Sequence, residues 1–188
     1  MKLVVSEFVT VDGVMEDPGG GESFEHGGWA FRFDRGAEGD RFKLDELLAA
    51  DALLLGRRTY EGFAAAWPSM TDEQGFAEKM NSMAKYVVSS TLERAGWNNS
   101  TILRGDVAAE AGRLKGEPGG DLLVAGSAGL VRALVRHDLV DELRLMVFPV
   151  VLGAGKRLFG EDGEPKGFEV VEAATSADVV LLTLRRSR

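Results

Sequence analysis

The chain has 188 residues, 45% of them hydrophobic and 28% charged, a length and balance with which one domain spanning residues 1–188 can bury its own core. With no cysteine and two histidines, His26 and His137, it has no disulfides, thiolate zinc sites or cysteine nucleophiles, and no metal is expected. The formal charge of −8 argues against broad binding to nucleic acid or anionic membrane, no apolar run is long enough to span a bilayer, and Met1-Lys2 leads into Leu3 without an apolar leader, so a cytoplasmic protein is expected.

Leu3 to Val9 is β-branched and apolar and reads as a first strand. Val11-Asp12-Gly13-Val14 and Asp17-Pro18-Gly19-Gly20-Gly21 then form a long loop, a candidate lid. From Asp40, the residues Phe42, Leu44, Leu47 and Leu48 recur at helical spacing, and Ala52-Leu53-Leu54-Leu55 suits a buried strand. Thr59 to Ala66 reads as helical, Trp67-Pro68 stops it, and Thr71 to Met83 predicts a second short helix. Tyr86 to Ser89 and Thr101 to Leu103 read as strands, and Val107, Ala111 and Leu114 mark the apolar stripe of the next helix. Leu122 to Ala125 is a further buried strand, Gly126 to Gly129 a tight turn, and Leu130, Val131, Leu134 and Val135 one helix face ending near His137. Glu142 to Phe148 alternates like a strand, Pro149 to Phe159 is a loop, and Phe168 to Ala174 with Val179 to Leu184 form a hairpin. About eight strands alternating with helices imply an α/β fold: a mostly parallel sheet covered on both faces, with an antiparallel edge from the last hairpin.

Two segments have the makings of a phosphate site. Leu55-Gly56-Arg57-Arg58-Thr59 puts glycine, two arginines and a threonine where a buried strand meets a helix N-terminus. Free amides and the positive helix end favour an anion there, and arginine can fork two donors onto phosphate oxygens. Ala125-Gly126-Ser127-Ala128-Gly129-Leu130 makes a second such turn on the same edge of a parallel sheet, where open α/β folds bind ligands. Together they suggest a dinucleotide. Ser89-Ser90-Thr91 closes the third strand with three hydroxyls, which can meet a ribose phosphate or cap a turn. Asp12 and Asp40 are the carboxylates placed to orient a polar heterocycle, against the structural reading of turn and helix-cap aspartates. Trp29, Phe31 and Phe33 can line an apolar pocket or pack in the core. Lys156-Arg157 reads as a solvated basic pair or a contact for a substrate anion.

Val11-Asp12-Gly13, Leu55-Gly56-Arg57-Arg58-Thr59-Tyr60, Val88-Ser89-Ser90, Val124-Ala125-Gly126-Ser127, Leu139-Val140-Asp141-Glu142-Leu143 and Pro149 to Gly155 followed by Leu158-Phe159 come in the order seen in RibD C-terminal, dihydrofolate-reductase-like proteins, which the chain resembles over nearly its whole length. The resemblance implies a dihydrofolate-reductase-like fold and NADPH across the strand ends. Leu55, Gly56, Arg57, Arg58 and Thr59 would meet its phosphates, Ser89, Ser90 and Thr91 the adenosine ribose phosphate, and Ala125, Gly126, Ser127, Ala128, Gly129 and Leu130 the pyrophosphate and nicotinamide side. It also implies a homodimer, and an acidic residue sixteen positions before Gly56, which is Asp40. Asp40 is then the polar group for catalysis and Asp12 a second substrate contact. The expected activity is NADPH-dependent reduction of a small pteridine- or pyrimidine-type heterocycle, and the alternative is a non-catalytic NADPH-binding or regulatory protein of the same fold. Val14 and Ala64 to Pro68 stand where riboflavin-pathway reductases carry a lysine and an Asp-Pro loop ending in arginine, so the resemblance does not carry over the riboflavin precursor as substrate.

Overall fold

The computed structural model describes residues 1–160 and 164–187. The strands are β1 (Lys2–Thr10), β2 (Ala50–Gly56), β3 (Ala84–Val88), β4 (Ser100–Leu103), β5 (Asp121–Ala125), β6 (Glu142–Phe148), β7 (Phe168–Ser176) and β8 (Val179–Arg186). The helices are α1 (Gly36–Ala49), α2 (Arg57–Ala66), α3 (Phe76–Ser82), α4 (Val107–Lys115) and α5 (Ala128–Arg136), with short 3-10 turns at Trp29–Arg32 and Trp67–Ser69. All eight strands join one sheet in the order β4-β3-β2-β5-β1-β6-β8-β7. The pairs from β4 across to β6 are parallel. β8 then runs antiparallel to β6, and β7 to β8, giving the expected hairpin edge.

The central strands read as unbroken apolar runs because both faces are covered. Leu3, Val5, Leu54, Leu122 and Val124 pack with Ala111 and Leu114 of α4 and with Val131 and Leu134 of α5. Their alternates Val4, Leu53, Leu55 and Leu123 pack with Leu47 of α1, Tyr60 of α2 and Met80 of α3. A third cluster gathers Trp29, Met146, Phe148, Val179 and Leu181 at the hairpin end. In this way Trp29 becomes core, fully buried with its indole N–H donated to the Glu16 carbonyl, whereas Phe31 is 80% exposed.

Three helices differ in their bounds from the sequence expectation, the smallest difference being α2, which starts at Arg57 and not at Thr59. α1 starts at Gly36, four residues before Asp40, because Ser176 of the distant β7 accepts from the Gly39 amide and donates to the Arg35 carbonyl. Asp40 therefore lies inside the helix instead of capping it. The segment Thr71–Met83 is helical only over Phe76–Ser82: the Asp72 carboxylate accepts from the amides of Gln74, Phe76 and Ala77, holding a turn ahead of Gly75 at φ +81°. No helix among the described residues is long and apolar enough to cross a membrane.

Candidate functional site: a cleft at the carboxyl ends of the strands

Because β1, β2 and β5 are parallel neighbours, their carboxyl ends open on one edge of the sheet, and there lies a cleft of about 1240 Å³. Its rim carries the two glycine turns. Gly56 ends β2 as the N-cap of α2, and Ser127, following Gly126, is the N-cap of α5. Neither helix start receives a side-chain cap, so backbone amides at both remain available to an anion. The turns are locked to each other: the Ser127 hydroxyl accepts from the Gly56 amide at 2.9 Å and donates to Thr59 Oγ1 at 3.0 Å. Gly126 and Ser127 both have left-handed backbones, φ +62° and +65°. A Cβ on Gly126 would sit 2.8 Å from Thr59 Cγ2, so the close approach of the turns requires glycine there. Arg57 and Arg58 line the cleft from the first turn of α2 and are exposed; Arg57 has only a loose partner, Glu61 at 3.7 Å. Gly56 to Thr59 and Gly126 to Leu130 thus come together on one rim with Ala125, the last residue of β5, while Leu55, next to last in β2, is buried behind them.

The remaining expected residues are distributed differently. Asp40 lines the cleft, yet its side chain is about half exposed and paired with Arg35 at 2.8 Å. Asp12 does not line it. Its carboxylate accepts from the Thr10 hydroxyl and from the Leu152 and Gly153 amides, tying the loop after β1 to the loop after β6. These bonds, the Thr10 hydroxyl first, hold its pKa below the ordinary aspartate value. Ser89 uses its hydroxyl to accept from the Thr91 and Leu92 amides, a turn cap; Ser90 and Thr91 are exposed, and none of the three lines the cleft. Lys156 lines the cleft but is paired with Glu16.

The polar floor of the cleft was missed from sequence. Ser6 and Glu7 interrupt the apolar run of β1, and that interruption in a central strand is the signal that could have found them. Lys43 and Glu46, on the inner face of α1, complete the group. Lys43 Nζ donates to Ser6 Oγ at 2.5 Å and pairs with Glu46, and Ser6 Oγ donates to Glu46 Oε1 at 2.6 Å. Glu7 and Glu46 are only 5% and 2% exposed, and Glu7 Oε1 and Glu46 Oε2 have no partner among the described residues. Burial pushes the Glu7 carboxyl well above the ordinary glutamate pKa; Lys43 and the Gly126 amide oppose this and Glu46 adds to it. The pocket is therefore an apolar-walled cleft with anion-ready turns on its rim and buried carboxylates at its base.

An eight-stranded, mostly parallel sheet with an antiparallel C-terminal hairpin and a cleft at the strand ends is the dihydrofolate-reductase-like fold. The RibD C-terminal domain family model matches residues 1–182, and the chain belongs to that family. It is 28% identical over 183 residues to the uncharacterized protein YyaP of Bacillus subtilis strain 168, covering 96% of this chain and 92% of that protein. It is 29% identical over 160 residues to the uncharacterized protein YwjB of the same organism, covering 85% of this chain and 83% of that one. Among solved structures, a Shewanella sp. PV-4 protein provisionally described as a riboflavin biosynthesis protein superposes over 100% of both chains, with a TM-score of 0.79 at 20% identity, a likeness of fold.

Proposed function

We propose that this protein is an NADPH-dependent reductase acting on a small heterocycle of pteridine or pyrimidine type. The observation that carries the reading is the interlocked pair of turns, whose two uncapped helix starts open on one cleft beside Arg57 and Arg58. The residues fit a dinucleotide: glycine at 56 and 126 keeps side chains off the rim, two helix N-termini favour a pyrophosphate, and arginines at the first turn of α2 suit a further phosphate. When bound, the dinucleotide would supply a hydride. The protein's part is to hold the acceptor. Glu7, Glu46 and Lys43 give the base of the cleft the polar groups that fix a nitrogen heterocycle, while Met15, Leu47, Leu53 and Phe63 line it with apolar surface that excludes water. The same reading takes a small molecule as the partner of the site and a homodimer as the assembled state.

The test is a titration with NADPH and with NADH, followed by nicotinamide fluorescence, beside Arg57→Ala/Arg58→Ala. Micromolar NADPH binding that weakens by about 1–3 kcal/mol in the variant, roughly 5- to 150-fold, supports the reading and opens a screen of heterocyclic acceptors. Absence of binding by both nucleotides overturns it.

A further inference from the structure

Glu7 is the feature of the cleft that structural needs do not explain. It stands in the central strand of the sheet, where an apolar residue would pack against α4 and α5 as Leu3 and Val5 do. It is instead a 5% exposed carboxyl with Oε1 unpartnered, lining the cleft just past the end of β5, whose last residue pairs with Ser6. A buried carboxyl left half satisfied costs stability and persists where a ligand completes it. The charged groups acting on it are Lys43 and Glu46, both on α1; β6 places only Leu145 at its register, and the turn after β5 contributes the Gly126 amide. Lys43 is engaged by Glu46 and Ser6, so among the described residues no cation pairs directly with Glu7. With Lys43 paired to Glu46, a Glu7 that holds its proton leaves no uncompensated charge at the base of the cleft.

We propose that Glu7 is the proton donor of this site and that its ionisation is tied to the charge of the nicotinamide in the cleft. The proposal rests on the dinucleotide reading above. In the forward step the O–H bond of Glu7 breaks and its proton joins the heteroatom of a C=N or C=O acceptor. The acceptor carbon gains a C–H bond from the hydride of the reduced dinucleotide. The acceptor is reduced by two electrons, the dinucleotide is oxidised, and Glu7 is left as a carboxylate that regains a proton from solvent. Before the step a neutral carboxyl accompanies a neutral ring; after it a carboxylate accompanies a cationic one. Neither state leaves a lone charge in the buried cleft, where an uncompensated charge is most costly.

This charge matching can be read without knowing the acceptor. NADP+ binding should expel the Glu7 proton, whereas NADPH binding should leave it in place. Calorimetric titration in buffers of different ionisation enthalpy gives the protons released, and the difference between the two nucleotides cancels changes on their shared phosphates. For the unmodified protein near neutral pH, NADP+ should release up to about one proton more than NADPH. In Glu7→Gln that difference should fall to near zero while NADPH affinity stays within about threefold. Infrared difference spectra of the unmodified protein give a second reading: NADP+ should remove a protonated-carboxyl band that NADPH leaves, a result independent of whether Glu7→Gln folds. Equal proton release for the two nucleotides, or a difference that survives in Glu7→Gln, overturns the proposal while the cofactor reading stands. Failure of both nucleotides to bind overturns the cofactor reading and this proposal with it.

Discussion

Gly126→Ala tests the interlock of the two turns most directly, because the structure separates its cost into two parts. The residue has φ +62°, where an L side chain costs about 1–2 kcal/mol. The added Cβ would also stand 2.8 Å from Thr59 Cγ2 and 2.9 Å from Thr59 Oγ1. Thr59 cannot swing aside without losing the bond from Ser127, so overpacking adds about 1–3 kcal/mol. A total near 3 kcal/mol lowers Tm by roughly 6–12 °C in a chain of 188 residues. Thr59→Ala removes both clashing atoms but leaves the backbone conformation untouched. In that background Gly126→Ala should cost only the first part, so a double-mutant cycle by urea denaturation should give a coupling of about 1–3 kcal/mol. Gly129→Ala, with open space around its Cβ and no positive φ, should cost nothing and serves as the control. A Gly126→Ala variant within about 0.5 kcal/mol of the parent, or an equal cost in both backgrounds, would refute the interlock.

Three further expectations follow from buried or tied polar groups. Lys85 is completely buried, with Nζ donating to the carbonyls of Asn81, Met83 and Asn98 at 2.8–3.0 Å beneath the Trp97 ring, so Lys85→Met should destabilise by about 2–4 kcal/mol in urea denaturation. Burial depresses its pKa from 10.5 to about 8; the unfolded chain then binds the extra proton between those values, and the parent should gain stability over Lys85→Met as pH rises through that window. Asp12→Asn should cost about 1 kcal/mol at neutral pH and leave NADPH affinity unchanged. Because the folded Asp12 pKa is lowered, the gap should be full above about pH 3.8 and close as pH falls through the folded value, as thermal melts across acidic pH would show. Ser176→Ala should cost about 1–3 kcal/mol and speed hydrogen exchange of the Gly39 amide, since the bonds of Ser176 to Gly39 and Arg35 are lost while Asp34 still accepts from the Gly36 amide.

The eight strands and the hairpin edge were legible because local signals agreed with the fold. Leu53-Leu54-Leu55 and Leu122-Leu123-Val124 are apolar at every position, as strands covered on both faces must be, and Gly56 and Gly126 to Gly129 punctuate them where chain direction changes. The start of α4 was legible because its deciding bond is local and agrees with the apolar stripe. Asp106 caps α4 through the Ala109 amide three residues on, and that helix begins at Val107 as its apolar stripe suggests. α1 begins where Asp34 accepts from the Gly36 amide and where Ser176, 137 residues away from Gly39, holds its first turn, and the second of these bonds is invisible to any local pattern.

The amino-acid sequence by itself determined the α/β class, the two glycine turns at strand ends and the family resemblance, because periodicity and turn chemistry are properties of neighbouring residues. The tertiary structure decided which carboxylates the cleft buries. Asp12 and Asp40 looked eligible by position in the chain, but Asp12 is consumed by amides of the loop after β6 and Asp40 is half exposed against Arg35. Glu7 and Glu46, 39 positions apart, come to the same buried base of the cleft only when α1 packs over β1 with Lys43 and Glu46 bonded to Ser6. Burial and proximity set the protonation of such groups, and both are created by packing elements distant in sequence.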